Sequence, residues 1–170
     1  MKRVRGSSSL FLLAALSLPF GGCGLHPLYA GGESSPVATG FRSVEVGPIP
    51  LRTGWLTRNA LVDRLGGEHP GGAYRLEVEL NDNLTGFGIR GDSATTRERR
   101  TLRARYRLVE RASGAVVLDA SAGSDAGIDV VSSAYATVAA EQNAAERLSG
   151  QVADQIVARV ARYMTALRTP

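Results

Sequence analysis

The sequence predicts an α+β two-layer sandwich: a four-stranded, mostly antiparallel sheet with two helices on one face, in the order β-α-β-β-β-α. Three observations lead there. Tyr74, Leu76, Val78 and Leu80 alternate with Arg75, Glu77 and Glu79, and Leu102, Ala104, Tyr106 and Leu108 alternate with Arg103, Arg105 and Arg107. Period two over such lengths means strands with one buried and one polar face. Ala145, Leu148, Val152, Ile156, Val160 and Met164 recur every three or four residues, the apolar stripe of a helix lying on that sheet.

The remaining elements follow in chain order. Phe41–Val46 reads as a short strand ended by Gly47-Pro48-Ile49-Pro50. Thr53 is placed to cap a helix running to about Leu65, with Leu56, Ala60, Leu61 and Leu65 on one face and Gly66-Gly67 as its stop. Tyr74–Leu80 is the second strand and Arg97–Val109 the third. After Ala112-Ser113-Gly114 comes a fourth, Val116–Ala122, with Val116, Leu118, Ala120 and Ala122 facing one way. Pairing Val109 with Val117 across that turn sets Leu108 against Leu118 and Arg107 against Asp119, so the two apolar faces coincide in an antiparallel meander. Gly123–Val131 reads as a loop. Ser132 or Ser133 caps a final helix from Ala134 to Leu167. At 1.5 Å per residue that helix is roughly 50 Å long, longer than a small sheet is wide, so part of it is expected to overhang.

Ahead of this domain, residues 1–22 have the build of a removable signal. Lys2, Arg3 and Arg5 make a positive start, and Leu10–Leu18 is apolar apart from Ser17, too short to span a bilayer, which takes about 20 residues. Gly21 and Gly22 precede Cys23, the only cysteine. A single thiol closes no internal disulfide, and its place after Leu18-Pro19-Phe20-Gly21-Gly22 resembles a bacterial lipobox, in which the cysteine is acylated and becomes the new N-terminus. Buried acyl chains contribute about 0.8 kcal/mol per methylene, and two or more anchor stably. Gly24 follows where Asp would typically mark inner-membrane retention, so the expected location is the periplasmic side of the outer membrane, with the membrane met only through N-terminal lipid. Residues 23–40, with Gly31-Gly32, Ser34-Ser35-Pro36 and Gly40, read as the lipidated N-terminus and a flexible linker. Residues 41–170 are left as a single domain.

Loss of residues 1–22 leaves 17 basic side chains against 16 acidic ones, so the mature chain is close to neutral. That balance, with export, argues against a nucleic-acid partner. Its basic residues are all Arg, which suits bidentate pairing with carboxylate or phosphate, although a high-GC genome biases composition the same way. His26 and His69 are the only histidines and stand beside prolines in loop-like contexts. They cluster with no other ligands, so neither a metal site nor a cofactor is expected. No Ser/His/Asp set is apparent, and no catalytic residue is assigned. Gly86-Phe87-Gly88-Ile89-Arg90-Gly91 matches G-x-G-x-x-G literally, but a dinucleotide site needs a helix after it, and here a strand pattern follows. An apolar-tipped hairpin loop is the better reading.

Cys23-Gly24-Leu25-His26-Pro27-Leu28-Tyr29 resembles the "CGF-x-PLY" opening of the LptE family of lipopolysaccharide-assembly lipoproteins, in its alphaproteobacterial form. Asp129-Val130-Val131-Ser132-Ser133-Ala134-Tyr135-Ala136-Thr137 and the Ala/Arg-rich helix after it, with Ala140-Glu141 and Ala144-Ala145, are similar to that family's last loop and C-terminal helix. The resemblance implies a non-catalytic protein. It would sit as a plug inside the outer-membrane β-barrel LptD, help the barrel assemble, and help deliver lipopolysaccharide to the outer leaflet. Cys23 is the one residue role it carries over. An auxiliary lipid- or small-ligand-binding lipoprotein of an ABC-type envelope transporter is the alternative, and a co-purifying barrel or ATPase separates the two.

Given such a partner, the arginines acquire a candidate role. Arg97, Arg99, Arg100, Arg103, Arg105, Arg107 and Arg111 crowd one segment, offset there by Glu98 and Glu110. If Asp82 lies near Arg97, then Glu79 and Glu77 share a face with Arg99 and Arg103, and Asp119 answers Arg107, so the inner arginines are neutralised. Arg90, Arg97, Arg99 and Arg100, nearer the loop, are the candidate contacts for lipopolysaccharide phosphates. Phe87 and Ile89 are the candidate contacts for the barrel wall or an acyl chain.

Overall fold

A computed structural model describes residues 36–89 and 95–167, so the expected signal at residues 1–22, Cys23 and the expected linker as far as residue 35 lie outside the described residues. The elements are α1 (Pro36–Phe41), β1 (Val44–Val46), α2 (Leu51–Arg64), β2 (Tyr74–Ile89), β3 (Thr95–Glu110), β4 (Val116–Asp129) and α3 (Ala134–Ala166). The sheet has the order β1-β2-β3-β4, with β1 parallel to β2 and the rest antiparallel. This is the expected α+β sandwich with one helix added in front.

That first helix occupies the end of the stretch expected as linker and takes Phe41 from the expected strand. Pro36 stands at its first position, where a missing N–H leaves no helical bond unmade. Val37 and Phe41 are buried. At Gly40 a Cβ would come within 3.0 Å of Met164 Cβ, so α1 packs closely on the C-terminal part of α3. The Ser43 hydroxyl donates to the Gly40 carbonyl at 2.6 Å as the chain turns into β1.

Helix α2 connects the parallel pair β1 and β2, a pairing that requires a crossover. It starts two residues before the expected cap, after Pro50, and no side chain caps it. Thr53 has another use: its hydroxyl donates to Asp82 Oδ2 at 2.6 Å. Of the expected stripe, Leu61 and Leu65 are buried, whereas Leu56 and Ala60 are half-buried. Gly54 takes part of the inner face, and a Cβ there would meet the Ile49 carbonyl oxygen at 2.6 Å.

The strands run further than the sequence suggests. Gly86–Ile89 continues β2, so this segment is strand and not loop. Gly123–Asp129 likewise continues β4. The reason is β3, which goes on pairing with both neighbours beyond Leu102, through Phe87↔Arg97 to Ile89↔Thr95 on one side and to Arg97↔Asp129 on the other. Leu108↔Leu118 and Arg107↔Asp119 pair as expected, while Val109 pairs with Val116 across a bulge instead of with Val117. Asp82 lies opposite Leu102, not near Arg97, because Gly86–Ile89 continues β2 and sets Ile89 opposite Thr95.

Read across the sheet, the helix-side rows grade from apolar to polar. Val46, Leu76, Leu108 and Leu118 form one row over all four strands. Further along come Val78–Tyr106–Ala120 and Leu80–Ala104–Ala122, then Asp82–Leu102–Ser124 and Leu84–Arg100–Ala126. The apolar end is covered by Leu61 and Leu65 and by the α3 residues Leu148, Val152, Ile156 and Val160, all buried.

Helix α3 matches its expected limits to one residue. Of the two candidate caps it uses Ser133, whose hydroxyl accepts from the Ala136 N–H at 3.4 Å. Its stripe from Ala145 to Met164 is buried. The overhang is the N-terminal part, where Tyr135 is 85% and Val138 48% exposed. Ser133→Ala is expected to destabilise by about 1 kcal/mol, read as faster amide exchange in the first turns of α3 with the middle of the helix unchanged.

Candidate functional site: the arginine-lined open face

The sheet face away from the helices is a polar surface laid out in columns. Residues opposite each other in register share a face, so the odd-numbered residues of β2, β3 and β4 lie here together. Glu77 and Glu79 stand on β2, Arg97, Arg99, Arg103, Arg105 and Arg107 on β3, and Asp119, Asp125 and Asp129 on β4. The basic column is thus flanked by the β4 acids along its length and by the β2 acids only beside Arg105 and Arg107.

The ion pairs run across these columns. Arg107 Nη2 lies 3.3 Å from Glu77 and 3.6 Å from Glu79. Arg105 donates from Nε and Nη2 to the two oxygens of Asp119, at 3.3 and 3.0 Å. The hydrogen bond from Arg105 holds the Asp119 carboxyl below the usual carboxylate range. Arg103 Nη2 is 3.7 Å from Asp125, and its Nη1 donates to the Ser124 carbonyl. The inner arginines are therefore neutralised, with partners different from those expected. Asp119 pairs diagonally with Arg105, leaving Arg107 to the two glutamates, because the true β2–β3 register brings Glu77 opposite Arg107 and Glu79 opposite Arg105.

At the far end, Arg97 donates from Nε to Asp129 Oδ1 at 3.0 Å, with side chains 63% and 75% exposed. Arg99 sits with its guanidinium carbon 5.5 Å from the centroid of the Phe87 ring, a cation–π contact. Phe87, Arg97, Arg99, Asp125 and Asp129 line a shallow depression of about 360 Å³. Phe87 is thus exposed at the end of the hairpin, on the same face as Arg97 and Arg99. The backbone of Ile89 pairs with Thr95, but its side chain, like all of Arg90, lies outside the described residues.

The fourth arginine of the expected set belongs elsewhere. Arg100 has the opposite parity and points to the helix side, where it holds Asp82 in a fork: Nε to Oδ1 at 2.9 Å and Nη2 to Oδ2 at 2.6 Å. Its Nη1 donates to the Glu141 carbonyl of α3 at 3.0 Å. Both side chains are about four-fifths shielded. Grouping Arg97, Arg99 and Arg100 by nearness in sequence conflicts with period two, and that parity was the available signal.

Among the described residues no group of His, Cys, Asp and Glu could hold a metal ion, and no helix is long and apolar enough to cross a membrane. His69 lies with Nε2 3.3 Å from the Leu65 carbonyl, a contact within its own loop.

The fold recurs in solved structures. A protein described as a putative lipoprotein from Caulobacter crescentus CB15 superposes with a TM-score of 0.67 at 26% identity, over 80% of this chain and 100% of that one. The rare lipoprotein B of Shewanella oneidensis matches with a TM-score of 0.55 at 10% identity, over 74% and 97% of the two chains. The lipoprotein B of Nitrosomonas europaea matches with 0.55 at 14%, over 72% and 84%. At those identities the last two speak for the fold alone. No curated protein matches the chain in sequence. The model of the LptE lipopolysaccharide-assembly family matches residues 41–160, from the end of α1 through most of α3. The chain belongs to the LptE lipopolysaccharide-assembly family.

Proposed function

We propose that this protein is a non-catalytic outer-membrane lipoprotein, acylated on Cys23, that assists assembly of the LptD barrel, occupies its lumen, and helps pass lipopolysaccharide to the outer leaflet. The family match over residues 41–160 carries the reading. The open face supports it physically. Barrel interiors are polar, and a sheet face on which Arg97, Arg103, Arg105 and Arg107 are each answered by a neighbouring carboxylate can meet such a wall with most of its charge already paired.

Arg97 and Arg99, with Arg90 close by in sequence, are the arginines proposed to meet lipopolysaccharide phosphates. Arg100 is committed to Asp82. Replacing Arg97 and Arg99 together with Ala is expected to weaken lipopolysaccharide binding about 10-fold or more, since a charge-assisted hydrogen bond contributes roughly 1.5–3 kcal/mol, with the thermal midpoint unchanged. Equal binding by a folded double variant would remove these residues from the role.

The decisive experiment is affinity capture of the full-length protein from detergent-solubilised outer membranes of cells fed labelled palmitate. A stoichiometric large barrel and label that disappears in Cys23→Ser are expected. An ATPase complex in place of the barrel would favour the auxiliary-lipoprotein alternative. An unlabelled chain would overturn the lipid anchor.

A further inference from the structure

The sheet has two edges, and they differ. On one side β1 offers three residues. On the other, β4 presents an outer edge of fourteen, and rows of unpaired N–H and C=O groups on such an edge are templates for another strand. Part of this edge is closed from within. The Gln155 side-chain amide of α3 imitates a neighbouring strand: its Oε1 accepts from the Gly123 N–H and its Nε2 donates to the Gly123 carbonyl, both at 3.1 Å. Next to it, Ser124 donates to Gln151 Oε1 at 2.7 Å.

That clamp also reveals the orientation of the backbone. Both polar groups of Gly123 point outward from the sheet. The register is unbroken from Arg103↔Gly123 to Arg97↔Asp129, so period two turns the N–H and C=O groups of Asp125, Gly127 and Asp129 outward as well. No hydrogen bond from another described residue reaches those groups. All three residues are exposed, and a Cβ on Gly127 would have nothing within 4 Å. A stretch of edge therefore lies open just beyond the point where the molecule's own glutamine stops.

The charge columns say what fits it. At this end of the open face β3 contributes Arg97, Arg99 and Arg103 and β4 contributes Asp125 and Asp129, so the order runs from arginine to acid toward the edge. Asp125 and Asp129 each engage an arginine through Oδ1, and a carboxylate has a second oxygen with which to accept from another cation. A second copy docking β4 on β4 antiparallel would set aspartates against aspartates, and like charges directly opposite are destabilising. A strand with basic side chains at alternate positions would instead continue the alternation.

We propose that the outer edge of β4 from Asp125 to Asp129 is a strand-addition site for an extended segment of another protein carrying Arg or Lys at every second residue. This goes beyond the family function and does not depend on it: the segment could belong to a barrel or to a different envelope protein. Main-chain hydrogen bonds would supply the affinity and the aspartates the selection.

The test uses the full-length protein in detergent and three capped eight-residue peptides. One alternates Arg with Val, one alternates Glu with Val, and the third repeats the first with N-methyl groups on the backbone nitrogens that would face β4. The Arg peptide is expected to bind at least about 10-fold more tightly than either of the others, a difference of 1.4 kcal/mol. It should also slow amide exchange at Asp125, Gly127 and Asp129 while leaving Gly123, already clamped, unaffected. Equal binding of the N-methylated peptide would reduce the effect to charge attraction and overturn strand addition. So would absence of protection at those three amides, or protection that rises with protein concentration alone, which would mean self-pairing.

Discussion

Leu108→Ala is expected to lower the unfolding free energy by about 2–5 kcal/mol, a large share of the 5–15 kcal/mol typical of a single domain. Leu108 is fully buried and sits third in the row Val46–Leu76–Leu108–Leu118, the one apolar row that crosses all four strands. Removing its branched carbons takes contacts from Leu76 and Leu118 on either side and from the helical layer above. Two strand backbones flank the site, so it can collapse only in part, and the cavity term adds to the lost transfer energy. Urea unfolding followed by circular dichroism should show a lower midpoint with an unchanged slope. Arg105→Ala, three residues back on the open face and two-thirds exposed, should change stability by less than about 0.5 kcal/mol. Similar losses from the two variants would mean that the helix-side rows do not dominate stability.

That contrast between the faces also marks what could be read from sequence. The apolar halves of the ladder were legible because alternation and the short turn at Ala112-Ser113-Gly114 leave one register in which both faces agree. Helix α3 was legible from its stripe and its Ser caps. The far halves of β2 and β4 were not. Asn81, Asp82, Asn83, Gly86 and Gly88, then Gly123, Ser124 and Gly127 are residues with low strand propensity, and only the continuous β3 between them keeps both neighbours extended. Helix α1 was hidden for a related reason. Six residues do not sustain a helix alone, and what fixes these is the burial of Val37 and Phe41. Of the candidate site, the crowd of arginines was visible. Its division between two faces followed from parity, and the pairing within it depended on the β2–β3 register, which the extension of β2 to Ile89 fixes.

The same parity gives Arg100 its weight, and Asp82→Asn tests it. Asp82 accepts from Arg100 through both oxygens and from the Thr53 hydroxyl, while Arg100 reaches on to the Glu141 carbonyl. One buried-side fork thus ties β2, β3, the start of α2 and the overhanging part of α3. The Asn variant keeps the shape but leaves a mostly shielded guanidinium facing a neutral amide, which should lower stability by about 1–3 kcal/mol, below the range for fully buried pairs because some water reaches this one. The pH dependence supplies the sharper criterion. The hydrogen bond from Arg100, then that from Thr53, holds the Asp82 carboxyl below its ordinary value, with burial opposing them. A folded value below the unfolded one means the contribution is complete above the unfolded carboxylate pKa of about 3.9 and disappears as pH falls through the lowered folded value. Urea midpoints should therefore separate wild type from Asp82→Asn fully at neutral pH and bring them together in acid, with amide exchange in the Ala134–Glu141 turns faster in the variant at neutral pH. A gap that stays constant down to acid pH would show that Asp82 acts by shape and not by charge, and the latch on the overhanging helix would have to be sought in Arg100 and the Glu141 carbonyl alone.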